Sequence, residues 1–263
     1  LSRSMCARCD EQEGRTKAVR APVIVSILDG LAARGLAQLD PATHGVAEAR
    51  RVNVAYFSAI AEPRASVARV ELVTALRQDG GAVPVKVAVP HRMEPGVPGI
   101  LYAHGGGYTF GDLDTHDHVI RAIAALSGRP VFAVHYRRTP EHAWPAPLDD
   151  ALAVVAAMRG SDWAGRFGHD PEKLLAIGDS AGAHLVLTTM LALKQRNLPQ
   201  LVGAGLFYGM YARRDDTWSH HAYGDGSVGL STERMRWFWE RLMGPRQPGP
   251  ADPLREPLEA DLS

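Results

Sequence analysis

The sequence predicts an α/β protein built on a mainly parallel sheet with helices on both faces. The first observation is that short apolar stretches alternate with amphipathic ones through the middle of the chain, as in successive strand–helix units. The second is a pair of β-rich stretches joined by the turn signal Gln78-Asp79-Gly80-Gly81, which predicts an opening antiparallel hairpin. The chain has 263 residues, enough for one large domain with a full core.

Two helices are predicted before any strand. Residues 22–38 and 42–60 repeat apolar side chains at helical spacing. With the polar residues 1–20 they form a segment, 1–62, that we expect to act as a helical cap over residues 63–263, the core.

The core is predicted to contain its elements in a regular order. They are strands 67–77, 82–89 and 99–103, helix 115–126, strand 131–136, helix 147–158, strand 173–177, helix 183–196 and strand 201–208. Residues 211–244 resemble a cap-like insertion, and its predicted helix at 232–243 contains Trp237, Phe238 and Trp239. Helical spacing cannot place all three aromatic side chains on one face, so we expect at least one to line a pocket. Residues 248–263 are rich in proline and are predicted to be loop.

Charge and composition argue against several classes of protein. Lys and Arg number 29, as do Asp and Glu, so nothing points to nucleic acid or an anionic membrane as a partner. The sequence has no apolar run long enough to span a bilayer and no signal-peptide core, which favours a cytoplasmic location. The only cysteines, Cys6 and Cys9, have no second pair of ligands for zinc, and no metal or organic cofactor is predicted.

The stretch Gly178-Asp179-Ser180-Ala181-Gly182 is the first candidate for chemistry. It lies between a predicted strand and a predicted helix, which is the context of a nucleophile elbow. Gly178 and Gly182 are expected to avoid clashes at the sharp turn, and Ser180 is the candidate nucleophile. The motif alone is a weak signal, because a serine can occupy an ordinary strand–helix turn.

A second glycine-rich stretch, His104-Gly105-Gly106-Gly107, also follows a predicted strand. Attack of a serine on an ester produces an oxyanion that needs N–H donors, and a glycine loop can turn its N–H groups toward that oxygen. We therefore expect Gly105, Gly106 and Ala181 to form an oxyanion hole around Ser180. His104 and Gly107 are expected to support the loop.

Four motifs in order resemble those of the bacterial hormone-sensitive-lipase-like (GDSAG, family IV) esterases of the α/β-hydrolase superfamily. They are His104–Gly107, Gly111-Asp112-Leu113-Asp114-Thr115-His116-Asp117, Tyr136-Arg137-Arg138-Thr139-Pro140-Glu141-His142 and Gly178–Gly182. The resemblance covers residue 22 to the end. It implies a cytosolic serine carboxylesterase that acts on short acyl esters, with an N-terminal helical cap, and it leaves a homodimer open.

Some supporting roles are expected within these motifs. Asp117 is expected to be a buried partner that steadies the glycine loop. Arg137 and Glu141 are expected to form a structural ion pair rather than to contact substrate. His135 departs from the family, which usually has Asp before Tyr-Arg, and this puts a local hydrogen-bond network in doubt.

The acid and the histidine of the catalytic triad are not found in this chain. The resemblance places them after a seventh and an eighth strand, whereas only 83 residues follow Ser180 and neither strand is visible. Asp252-Pro253-Leu254-Arg255 resembles the family's acid motif, but no apolar strand precedes it, so we do not expect Asp252 to be the acid. Because both the acid and the histidine are missing, we expect the sequence to be truncated.

The remaining histidines are weaker candidates. His184 is expected to be packed or capping on the elbow helix. His220 or His221 could serve only if Asp215 or Asp216 were the acid, a spacing too tight for residues at two strand ends. Five others are expected to be surface or loop residues: His91, His116, His118, His142 and His169.

Two other functions stay open. If Ser263 is the genuine end, the chain could be a ligand-binding or vestigial relative without turnover, as in the plant gibberellin receptors of the same superfamily. A peptidase is a more distant alternative, because no added domain for peptide capture is visible.

Overall fold

The computed structural model of the chain describes residues 20–61, 63–227, 229–245 and 252–259. The cysteines of the Cys6–Cys9 pair lie outside these residues. The predicted fold class is confirmed: the described residues form a mainly parallel sheet with an antiparallel hairpin at one edge and helices around it.

The sheet has six strands in the described part of the chain. They are β1 (Arg69–Leu76), β2 (Ala82–Val89), β3 (Val97–Ala103), β4 (Val131–Val134), β5 (His169–Asp179) and β6 (Gly203–Phe207). Their spatial order is β1-β2-β4-β3-β5-β6, in which β2 is antiparallel to both neighbours and β4, β3, β5 and β6 are parallel.

The centre of the sheet is buried on both faces. All four residues of β4 are buried, and β2 and β3 end in runs of buried residues. A strand covered by helices on both faces of the sheet consists of consecutive apolar residues, and this pattern allowed the strands to be predicted from the sequence. The parallel arrangement also brings the carboxyl ends of β3 and β5, and therefore both glycine motifs, to the same edge.

The helices alternate with the strands, as predicted for residues 97–207. They are α1 (Pro22–Ala33), α2 (Pro41–His44), α3 (Val46–Ile60), α4 (Asp117–Ser127), α5 (Ala146–Arg159), α6 (Ser161–Phe167), α7 (Ala181–Gln195), α8 (Trp218–Tyr223) and α9 (Thr232–Met243), followed by a 3₁₀ turn at Pro257–Glu259. The predicted helix 42–60 is divided in two at Gly45, whose φ of +77° interrupts the helix. The short helices α6 and α8 were not predicted.

Helices α3 and α9 lie over the edge of the sheet that carries the glycine motifs. Ala49 of α3, Phe238 of α9 and Phe110 of the core form one small buried cluster. No helix in the described ranges is both long and apolar enough to cross a bilayer.

Candidate active site

Ser180 lies at the junction between β5 and α7, where the chain turns sharply. Its φ of +51° and ψ of −117° are unusual for a residue with a side chain and cost about 1–3 kcal/mol. The turn is held on one side by its own N–H, which donates to the Phe207 carbonyl oxygen of β6 at 2.8 Å. Ser180 is the N-cap of α7, so its hydroxyl is at the end of the helix where negative charge is favoured.

The two outer glycines of the motif allow the strand and the helix to approach. A Cβ on Gly182 would lie 2.0 Å from the carbonyl oxygen of Ala103 at the end of β3. A Cβ on Gly178 would lie 2.4 Å from the backbone of Gly182. Any side chain at either position would therefore displace the backbone that presents Ser180.

The oxyanion loop, residues Gly105–Phe110, is folded just as tightly. Gly106 and Gly107 have φ of +115° and +59°, and a Cβ on Gly106 would lie 2.4 Å from the Phe110 carbonyl oxygen. A Cβ on Gly107 would lie 2.5 Å from the ring of Phe238. Glycine is required here because of both the backbone conformation and the close approach of helix α9.

The three expected oxyanion donors differ in their surroundings. Gly105 N–H already donates to Asp179 Oδ1 at 3.1 Å, which removes it from the set of free donors. Ala181 is the first residue of α7, and the N–H groups in the first turn of a helix have no intrahelical partner. Within the described residues, Gly106 N–H has no backbone partner either. Gly106 and Ala181 therefore retain free N–H groups beside Ser180.

Asp179 links the two glycine motifs, a role that the sequence analysis missed. Its Oδ1 accepts hydrogen bonds from Gly105 N–H and from the Tyr102 hydroxyl at 2.8 Å, and its Oδ2 accepts one from the Tyr208 hydroxyl at 3.4 Å. The carboxylate therefore joins β3, the oxyanion loop and the end of β6. The signal was present, since Asp179 immediately precedes Ser180, but the partners come from distant parts of the chain.

His104 supports the oxyanion loop, as expected. Its ring is buried and donates from Nδ1 to the Gly105 carbonyl oxygen at 2.8 Å. It stacks between the rings of Tyr136, at 4.3 Å, and His116, at 5.2 Å. Burial holds the pKa of His104 well below its usual value, so the ring is neutral at physiological pH.

Asp117 does not contact the glycine loop, which corrects the expectation. Its buried carboxylate pairs instead with Lys86 at 3.2 Å, Arg64 at 3.1 Å and Arg121 at 2.7 Å. The physical reason is its place in the first turn of α4, where the side chain faces β2 rather than the loop. Any support of the loop is indirect, since Lys86 also donates to the Leu113 carbonyl oxygen.

The ion pairs of Arg137 and Glu141 also differ from the expectation. Arg137 binds Asp150, and Glu141 binds Arg50 of α3, so the two residues are not partners of each other. None of these four residues lines the cavity at Ser180. His135, at the position that departs from the family, is partly buried, and its Nδ1 has no hydrogen-bond partner in the described part of the chain.

A cavity of about 620 Å³ opens onto Ser180. Its walls come from the oxyanion loop, the end of β5, α3, α4 and α9. Phe238 is the aromatic residue of α9 that lines it, while Trp239 packs in the main core, so that expectation is confirmed. His116 and His118 also line the cavity.

The side chains of His184 and His220 have partners other than the Ser180 hydroxyl. His184 is fully buried, as expected: its Nε2 donates to the Arg255 carbonyl oxygen at 2.9 Å, and its Nδ1 accepts from the Tyr108 hydroxyl at 2.6 Å. His220 is bonded to Thr217 and does not line the cavity.

The carboxylates considered as triad acids have other local partners. Asp215 pairs with Arg236, Asp216 with Arg214, and Asp252 accepts from the N–H of Leu254. His169 is buried in β5, so the expectation that it is a surface or loop residue is wrong, whereas His116 is buried but lies in the turn before α4. In the described ranges no side chain hydrogen-bonds the Ser180 hydroxyl, and no three His, Cys, Asp or Glu residues are grouped so as to hold a metal ion.

Residues 100–263 match the family described as the alpha/beta hydrolase fold. The chain belongs to this family. Among solved structures, a hyperthermophilic esterase from the archaeon Pyrobaculum calidifontis has a TM-score of 0.81 and 30% identity, with 94% of this chain and 77% of that one covered. The predicted resemblance to hormone-sensitive-lipase-like bacterial esterases is confirmed.

Curated alpha/beta hydrolase relatives match over a shorter region. Carboxylesterase NlhH of Mycobacterium tuberculosis is 36% identical over 126 residues, 48% of this chain and 39% of that protein. Ethyl acetate hydrolase of Pseudomonas putida is 33% identical over 169 residues, 62% of this chain and 52% of that protein. The chain thus spans 39 to 52% of the length of these curated relatives.

Proposed function

We propose that the chain carries the nucleophile and the oxyanion hole of a serine carboxylesterase. The supporting observation is the strained turn at Ser180, which lines the same cavity as the glycines of the oxyanion loop and is the N-cap of α7. In the proposed reaction Ser180 Oγ attacks the ester carbonyl, the alcohol leaves, and water then hydrolyses the acyl-enzyme. Gly106 and Ala181 donate to the oxyanion, and His104, Gly107, Gly178 and Gly182 hold these groups in place.

The proposed substrates are small esters with short acyl groups. The name of the Pseudomonas putida relative, ethyl acetate hydrolase, supports this size class. A cytoplasmic location and a homodimer stay predictions of the sequence analysis. So does the division into a cap, 1–62, and a core, 63–263, with an insertion at 211–244.

The test is turnover of p-nitrophenyl butyrate by the full-length protein. Ser180→Ala is expected to lower kcat by about 10⁴- to 10⁶-fold, because it removes the nucleophile that forms the acyl-enzyme. Ser227→Ala, at an exposed serine outside the cavity, is the matched control and should leave turnover unchanged. Activity that survives in Ser180→Ala would refute the proposed mechanism.

A ligand-binding relative without turnover is the second candidate. The observation that favours it is the Ser180 hydroxyl, which has no basic partner among the described residues. A serine-reactive organophosphate distinguishes the two functions. Rapid labelling of Ser180 indicates an activated nucleophile, whereas a ligand-binding protein is labelled no faster than free serine.

A further inference from the structure

Arg50 of the cap helix α3 binds two loops of the core at once. Its Nε donates to the Thr109 carbonyl oxygen at 2.8 Å, and its Nη2 donates to the Thr139 carbonyl oxygen at 2.6 Å. The same guanidinium forms a bidentate pair with Glu141, at 2.7 and 2.9 Å, and lowers the pKa of that carboxyl to about 2. Only 20% of the Arg50 side chain is exposed, so solvent screens the group only partly.

Thr109 belongs to the oxyanion loop. Its N–H donates to the Gly106 carbonyl oxygen at 3.0 Å, and its hydroxyl bonds the Thr139 hydroxyl at 2.7 Å. Arg50 therefore binds the backbone carbonyl oxygens of both threonines, whose hydroxyls bond each other. Together these bonds fix the turn that follows Gly106.

The other side of α3 faces the cavity. Ala49 and Asn53, which flank Arg50 on the helix, line the cavity that contains Ser180. Arg50 is thus the point where a helix that shapes the cavity is bonded to the loop that supplies the Gly106 N–H.

We propose that Arg50 is a positioning residue that couples the placement of cap helix α3 to the geometry of the oxyanion loop. The inference rests on the proposed function, in which the N–H of Gly106 in this loop stabilises the oxyanion. A guanidinium offers several donors in a fixed plane, whereas the ammonium of lysine is a point charge and cannot make the same set of bonds. Arg50→Lys keeps the positive charge but should lose part of the set of hydrogen bonds that joins α3 to the carbonyl oxygens of Thr109 and Thr139.

The first measurement is amide hydrogen exchange, followed by mass spectrometry on the full-length protein. Arg50→Lys should accelerate exchange in peptides covering residues 105–110 and 46–60. Arg51→Lys is the matched control, since Arg51 is the next residue of the same helix, is exposed and pairs only with Glu48 in the described structure. Glu141→Gln, which leaves both carbonyl bonds of Arg50 intact, should give a smaller acceleration.

The second measurement separates positioning from simple stabilisation. The reaction of Ser180 with a p-nitrophenyl phosphonate is resolved into a limiting rate and a half-saturating concentration. Because a displacement of about 1 Å can cost about 100-fold in rate, a partial release in Arg50→Lys should lower the limiting rate about tenfold. The half-saturating concentration should change by less than about twofold, since Arg50 does not line the cavity of Ser180.

Two results would overturn the inference. One is exchange in the oxyanion loop that is the same in Arg50→Lys and Arg51→Lys. The other is faster exchange with an unchanged limiting rate, which would leave Arg50 a purely structural residue. If Ser180 in the unmodified protein does not react at all, the proposed function fails, and the exchange data alone decide whether Arg50 holds the loop.

Discussion

At the scale of single residues, the elbow helix depends on a histidine that must stay neutral. His184 is fully buried, and both ring nitrogens have partners, the Tyr108 hydroxyl and the Arg255 carbonyl oxygen. Desolvation lowers the pKa of His184 to about 4, against an ordinary value near 6.5. Protonation of Nδ1 would place a charge in this buried site and remove the acceptor for the Tyr108 hydroxyl, so the ring that links α7 to the segment at 252–259 is held uncharged.

This burial predicts a pH dependence of stability. Between pH 6.5 and about 4 the unfolded state binds a proton at His184 that the folded state does not, so the free energy of unfolding falls as the pH drops. The loss should reach about 3 kcal/mol by pH 4. Urea unfolding at several pH values should show a smaller loss in His184→Gln. The exposed His221→Gln is the control, and equal slopes in both variants would contradict the assignment.

At the scale of elements, helix α9 packs against the oxyanion loop through the ring of Phe238, which contacts Phe110 and covers Gly107. Gly107 has a φ of +59° and lies directly under the Phe238 ring, so Gly107→Ala introduces both backbone strain and a clash. Gly128 has a φ of +64°, but a Cβ there would lie 3.5 Å from its nearest neighbour. Gly128→Ala therefore measures the cost of the backbone strain alone, and the additional cost of Gly107→Ala measures the clash with Phe238.

A double-mutant cycle tests this contact. Gly128→Ala should cost about 1–2 kcal/mol from the positive φ alone. Gly107→Ala should cost about 1–3 kcal/mol more, because the added methyl overpacks the contact with Phe238. In the background of Phe238→Ala the extra cost should disappear, as measured by chemical unfolding. If Gly107→Ala still costs more stability than Gly128→Ala in the Phe238→Ala background, the Phe238 ring is not the cause of the extra destabilisation.

The strands and helices around the site could be predicted from the sequence, because each is determined by residues close to one another in the chain. Strand 82–89 and helix 232–243 were predicted with the bounds observed, because each has clear apolar periodicity and a distinct stop signal. Ser180 and the glycine loop were visible because glycine is required at positive φ and at close backbone approach.

The partners of the site residues were not predictable in the same way. Asp179 binds Gly105, 74 positions away, and Arg50 binds Glu141, 91 positions away. Such pairings depend on how the sheet orders its strands and on where the cap lies, and a single sequence does not encode them as a local pattern. The same limit explains why Asp117 was assigned to the wrong neighbour.

At the scale of the whole molecule, a buried carboxylate joins parts of the sheet that are far apart in sequence. Asp150 of α5 is 1% exposed and binds Arg77, at the turn between β1 and β2, and Arg137, just after β4. It also accepts the N–H of Arg137 at 2.7 Å. The opening hairpin, the loop after β4 and α5 are thus joined by one side chain.

Removing this charge should destabilise the fold as a whole. Asp150→Asn keeps the shape of the side chain but removes the carboxylate that pairs with Arg137 and leaves Arg77 paired with the exposed Asp79. Breaking a buried pair of this kind costs about 3–5 kcal/mol. Asp149→Asn, at the exposed neighbour on the same helix, should change stability by less than about 0.5 kcal/mol. Urea unfolding followed by circular dichroism measures both variants. A cost for Asp150→Asn no larger than that of Asp149→Asn would show that the hairpin and α5 are held together by apolar packing alone.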